Sequence, residues 1–191
     1  MTAAQCGVDA IGLVFFRRSP RFVEVGQARK IVRALPPFVT SVALFVDPTV
    51  AEVHHVLDAV PVGLLQFHGN ETADFCAGFS RPFVKAVRMR RGIDLLAYAA
   101  DFAGAAGLLV DTYVPGTPGG TGETFDWDLL PPDRSFPLVL SGGLTPENVT
   151  AAITHARPWA VDVSSGVEVG KGIKDAEKIA AFVQGVRNAD G

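Results

Sequence analysis

The chain has 191 residues, 48% of them hydrophobic, with 20 glycines, 13 prolines and a formal net charge of −3. That composition suits a globular domain of roughly 100–200 residues and excludes a disordered chain. No apolar run reaches the roughly 18–20 residues of a membrane span, no basic cluster leads into an apolar start as in a signal peptide, and the slight acidity leaves no electrostatic footprint for nucleic acid. The expectation is a cytoplasmic protein with no membrane and no nucleic-acid partner. Cys6 and Cys76 are too few for a disulfide framework and lack zinc-site spacing, so both are expected to be ordinary buried thiols.

Residues 1–7 read as the tail of a helix: small, helix-compatible side chains closing on Gly7 as a C-terminal cap. Short apolar runs follow at 10–16, 39–46, 62–67, 83–87, 107–110, 137–140 and 159–163. They are rich in Val, Leu, Ile and Phe without strict alternation, the pattern of parallel strands covered on both faces. Between them, Val25, Ala28, Ile31, Val32 and Leu35, and then Val50, Val53, Val56, Leu57 and Val60, recur at helical spacing. Regular alternation of strand and helix, without a Gly-x-Gly-x-x-Gly turn after the first strand, predicts a (β/α)8 TIM barrel of the α/β class rather than a dinucleotide-binding sheet. Seven strands are predicted where that barrel has eight, so the expectation is one barrel domain over 1–191 with the first strand missing from the chain. The glycine-rich stretch 115–122 reads either as a lid over the site or as a solvated connector.

In such a barrel the loops after the strands carry the chemistry. Polar residues stand after every apolar run: Ser19, Pro20 and Arg21, then Asp47, then Gln66 and His68, then Arg88, Asp111 and Thr112, Ser141, Gly142 and Gly143, and finally Asp162 with Ser164, Ser165 and Gly166. Small residues in the last two loops expose backbone N–H groups, which makes Gly142, Gly143, Ser164, Ser165 and Gly166 a candidate phosphate site, with tight turns as the plainer alternative. Asp111 ends an apolar run at the barrel mouth, where partial desolvation would raise its pKa and suit it to general acid work; a capping Asp is the alternative. His68 titrates or donates a hydrogen bond at the mouth, or is a satisfied structural histidine. Arg21, behind Pro20, can grip a carboxylate with two parallel bonds or form a surface ion pair.

These motifs resemble phosphoribosylanthranilate isomerases, through Asp9 to Phe15 with Ser19-Pro20-Arg21, Leu65-Gln66-Phe67-His68-Gly69, Leu109-Val110-Asp111-Thr112, Gly119-Gly120-Thr121-Gly122 with Phe125-Asp126-Trp127, Ser141-Gly142-Gly143-Leu144, and Asp162 through Glu168. The resemblance implies a barrel enzyme of tryptophan biosynthesis that performs an Amadori rearrangement of a small phosphoribosyl substrate, with no cofactor and no metal, as a monomer or homodimer. It implies Asp111 as general acid, Arg21 on the anthranilate carboxylate, Gly142, Gly143, Ser164, Ser165 and Gly166 at the phosphate, and Gln66, His68 and Asp162 lining the mouth. The family's base is a cysteine in a Lys-x-Cys-Gly motif that this sequence does not contain, so a second expectation is a sugar-phosphate-binding barrel without catalysis.

Overall fold

Helix α1 (Thr2–Gln5) closes as the sequence predicts. Gly7 adopts φ +89°, its N–H donates to Ala4 O at 3.1 Å, and the Val8 N–H reaches back to Ala3 O at 3.5 Å. This pair of bonds satisfies carbonyls that a helix end otherwise leaves unpaired, and it needs a left-handed residue at position 7. The computed structural model describes residues 2–112 and 124–189; the glycine-rich stretch 115–122 lies outside them. The described residues fall into two compact units, one up to Val84 and one from Lys85 onward.

In the first unit, β1 (Ala10–Val14), β2 (Thr40–Phe45) and β3 (Leu64–Phe67) pair in parallel and in chain order, Ala10 opposite Thr40 and Val42 opposite Leu64. Between them run α2 (Val25–Ala34) and α3 (Val50–Ala59), and α4 (Ala73–Ala77) follows β3. Helix α3 starts on a reciprocal cap: the Thr49 hydroxyl accepts from the Glu52 N–H, and the Glu52 carboxylate accepts from the Thr49 N–H at 2.7 Å.

A row of rings holds the strands to the helices. Phe15 stacks on Phe45 at 5.6 Å, Phe45 on Phe67 at 6.1 Å, and Phe67 meets Phe75 and Phe79 at 5.8 and 5.9 Å. Such pairs add about 0.5–1.5 kcal/mol each beyond the area they bury. Because Phe67 faces the helices, strand alternation turns Gln66 to the opposite face.

β4 (Phe83–Met89) spans the boundary between the units. In the second unit α5 (Leu95–Asp101) precedes β5 (Gly107–Thr112), β6 (Leu138–Leu140), α6 (Val149–Ala156) and β7 (Ala160–Val161). β5, β6 and β7 again pair in parallel and in chain order, Leu108 opposite Leu138 and Val139 opposite Ala160. A short antiparallel hairpin, β8 (Glu168–Gly170) with β9 (Ile173–Lys174), leads into α7 (Ala176–Ala189).

All seven predicted strands are present, with altered ends. β4 and β5 run two residues further than their apolar cores, because backbone pairing continues after hydrophobicity stops; Arg88 and Asp111 are therefore strand residues rather than loop residues. The hairpin was not predicted, since its apolar residues Val169 and Ile173 are exposed and its one buried residue is the charged Glu168. Cys76 is fully buried in α4, whereas Cys6 is only half-buried at the end of α1, which corrects the expectation for that thiol. No helix of the described residues is long and apolar enough to cross a membrane.

Candidate active site

Each unit carries its own group of polar residues where its strands end. In the first unit Gln66 and His68 share one face, two residues apart, and both are buried, with Gln66 Nε2 3.2 Å from His68 Nδ1. The His68 N–H donates to Phe45 O at 2.8 Å, which carries β-pairing past the formal end of β3 and fixes the backbone beneath the ring. Arg21 is half-buried in the turn after β1, and its N–H is held by Ser19 Oγ at 3.1 Å. The adjoining Phe22 forms a single bridge back to Val14, so the turn is pinned to the strand it leaves.

The sequence placed Asp47 after β2 but gave no sign of Glu71, which joins it in shaping the loops after β2 and β3. Glu71 is buried and accepts from the Asp47 N–H at 2.8 Å and from the Gly69 N–H at 3.0 Å, while Asp47 accepts from the Asn70 N–H at 2.6 Å. A buried carboxylate is stable only when its oxygens are bonded in this way. Its signal was an acid two residues beyond Gly69, a position that alone reads as solvated charge.

In the second unit Asp111 is 5% exposed, and its Oδ1 accepts from the Thr112 N–H at 2.8 Å. The loop after β6 crosses close above it. Gly142 sits at φ +86°, and a Cβ there would overlap Thr112 Oγ1 and stand 2.8 Å from Asp111 Oδ1. Only glycine meets both conditions, the left-handed backbone and the missing side chain.

Gly143 follows at φ +64°, and its carbonyl accepts from Asn148 Nδ2 at 2.9 Å, while Asn148 Oδ1 accepts from the Thr145 N–H at 2.8 Å. One asparagine side chain thus fixes the turn that delivers the start of α6. Ser141 donates to Asp162 Oδ2 at 2.9 Å, joining the ends of β6 and β7.

Ser164, Ser165 and Gly166 form the next turn, part of which is a short 3-10 segment, Ser165–Val167. A Cβ on Gly166 would collide with the Leu144 carbonyl, so this loop and the one after β6 lie backbone to backbone. Lys174 Nζ donates to Ser164 O at 2.7 Å and pairs with Glu168 at 3.1 Å. The unpredicted hairpin therefore clamps this turn from outside.

The arrangement in this unit is a buried carboxyl, a second carboxylate oriented by a serine, and two tightly apposed small-residue loops whose backbone N–H groups suit an anion. Neither cysteine joins either group: Cys6 precedes β1 at its starting end, and Cys76 lies inside α4. Among the described residues no cluster of His, Cys, Asp and Glu is arranged to hold a metal ion.

The sequence matches the family model of N-(5′-phosphoribosyl)anthranilate (PRA) isomerase over residues 1–185. It is 58% identical over 191 residues to the N-(5′-phosphoribosyl)anthranilate isomerase of Pseudomonas fluorescens strain SBW25, covering all of this chain and 91% of that protein. The fold is similar to the crystal structure of phosphoribosyl anthranilate isomerase from Thermotoga maritima, with a TM-score of 0.89, 38% identity, and coverage of 98% of this chain and 92% of that one. It is also similar to the crystal structure of phosphoribosyl anthranilate isomerase in complex with reduced 1-(o-carboxyphenylamino)-1-deoxyribulose 5-phosphate, with a TM-score of 0.86, 37% identity, and coverage of 98% and 91%. With seven parallel strands, helices between them and these relatives, the chain has the α/β barrel architecture with one strand fewer than eight among its described residues, and it belongs to the N-(5′-phosphoribosyl)anthranilate isomerase family.

Proposed function

We propose that the chain performs the reaction of its family, converting N-(5-phospho-β-D-ribosyl)anthranilate to 1-(2-carboxyphenylamino)-1-deoxy-D-ribulose 5-phosphate in L-tryptophan biosynthesis. The family match over 1–185 carries this reading. In the Amadori rearrangement an acid protonates the ring oxygen as the C1′–O4′ bond breaks, leaving an iminium at C1′. A base then takes the C2′ proton to give an enolamine. Protonation of C1′ with loss of the 2′-hydroxyl proton yields the ketone, with no net redox change and no cofactor in the chemistry.

Asp111 takes the acid's role, supported by its burial at the end of β5. Gly142, Gly143, Ser164, Ser165 and Gly166 hold the phosphate, supported by the close backbone approach of their loops. Arg21 grips the anthranilate carboxylate, and Gln66, His68 and Asp162 line the mouth. We assign the C2′ proton to neither cysteine, since both stand away from the strand ends. That placement is the one observation favouring a second reading, a barrel that binds the sugar phosphate without turning it over.

We further place the protein in the cytoplasm as one domain over 1–191, a monomer or homodimer, with its small phosphoribosyl substrate as partner and no nucleic acid or membrane. A dimeric form is described for the Thermotoga maritima relative. The test is a fluorescence assay of freshly prepared substrate alongside calorimetry with the reduced product analogue. Turnover with binding supports the isomerase, binding without turnover supports the second reading, and neither overturns both.

A further inference from the structure

β4 carries two cations in opposite surroundings. Lys85 is fully buried, with its Nζ 5.7 Å from the centre of the Phe102 ring just past α5, and so faces the helices. Alternation along the strand turns Arg88, three residues on, to the other face. Arg88 is the penultimate residue of β4, as Asp111 is of the neighbouring β5, and it is half-buried. Among the described residues its guanidinium has no hydrogen-bond or ion-pair partner. A half-buried five-donor cation with no protein acceptor can take an anion without giving up an existing bond.

The second unit indicates which anion. β5, β6 and β7 follow β4 in order, so the small-residue loops after β6 and β7 lie two to three strand spacings away, about 10–14 Å around the sheet. The 5′-phosphate and the anthranilate carboxylate occupy opposite ends of the substrate. A substrate whose phosphate sits at those loops extends its carboxylate away from them, and β4 lies within that span.

Resting on the function proposed above, we infer that Arg88 is a specificity-determining contact for the anthranilate carboxylate. Its planar fork suits a carboxylate held by two parallel bonds.

Calorimetry on the full chain tests this with three ligands: the reduced product analogue, its phenylamino counterpart lacking the carboxylate, and its counterpart lacking the phosphate. Arg88→Gln should weaken both carboxylated ligands about 10–100-fold and leave the phenylamino ligand unchanged, because a hydrogen bond to a charged group is lost only where the carboxylate is present. Arg88→Lys, which keeps the charge but not the fork, should fall between. Equal loss for all three ligands, loss confined to the two phosphorylated ones, or no loss overturns the assignment. If the unsubstituted chain binds none of them, the proposed function fails, and this inference with it.

Discussion

Ser141 donates its hydroxyl hydrogen to Asp162 Oδ2 across 2.9 Å, tying the end of β6 to the end of β7. Asp162 also receives β-pairing through its own N–H, which donates to Leu140 O at 2.8 Å, so both its backbone and its carboxylate are oriented by the neighbouring strand. Ser141→Ala should destabilise the protein by about 1.5–3 kcal/mol, the usual range for a lost hydrogen bond to a charged group. Urea denaturation with an unchanged slope would measure it. A loss under about 0.5 kcal/mol would mean that water replaces the hydroxyl at no cost.

Asp111→Asn keeps the acceptor of the Thr112 N–H and removes the transferable proton. Turnover should fall about 10²–10⁴-fold while the reduced product analogue binds almost as before, the signature of a lost general acid. Single-turnover kinetics beside calorimetry separate the two effects. Activity within a few-fold of the parent removes Asp111 from the mechanism.

Gly166→Ala drives a methyl group into the Leu144 carbonyl and must part the two small-residue loops. Binding of the phosphorylated product analogue should drop at least about tenfold, with a much smaller effect on the analogue lacking phosphate, because the loops' N–H groups no longer converge on one anion. Parallel titrations decide it, and equal losses place the phosphate elsewhere.

Glu52 has its carboxyl held below the ordinary carboxylate range, first by the Thr49 backbone N–H and then by the Thr49 hydroxyl. A depressed folded-state pKa means that this contribution is complete above the unfolded value near 4.5 and is lost as pH falls through the lower folded value. Glu52→Gln should therefore cost about 0.5–1 kcal/mol at neutral pH, the scale of a capping interaction at an exposed helix start, and the difference from the parent should shrink below about pH 4. Thermal melts across pH 3–7 test this. A gap that stays constant with pH would mean the charge plays no part.

Phe67 touches Phe45, Phe75, Phe79 and Phe83, at 6.1, 5.8, 5.9 and 6.1 Å, and is fully buried. Phe67→Ala should cost about 3–5 kcal/mol through the cavity it leaves. It should also loosen Gln66 and His68 on the strand's other face, seen as weaker ligand binding in whatever fraction remains folded. Chemical denaturation that shows less than about 2 kcal/mol would mean the ring cluster collapses around the gap.

Much of the architecture was legible because strand formation here follows a local property. Each buried parallel strand must be apolar on both faces, so the runs 39–46 and 107–110 stand out from the residues around them. The polar residues that end those runs were legible for the same reason, since barrel geometry sends strand ends to a common mouth. The β8–β9 hairpin was not legible, because strands of three and two residues whose one buried side chain is the charged Glu168 leave no hydrophobic period.

By itself the sequence determined the seven strands, their parallel order and the residues at their ends, including Asp111, Gln66, His68 and Asp162. Only the tertiary structure decided what those residues meet. Ser141 and Asp162 are 21 positions apart, Asp47 and Glu71 are 24, and the glycine requirement at Gly166 comes from a carbonyl 22 residues earlier. The face that Arg88 presents likewise followed from the ring against which Lys85 packs. Hydrophobic patterning is written residue by residue along one segment, whereas hydrogen-bond partners and close approaches are set by which strands become neighbours, and no single segment encodes that.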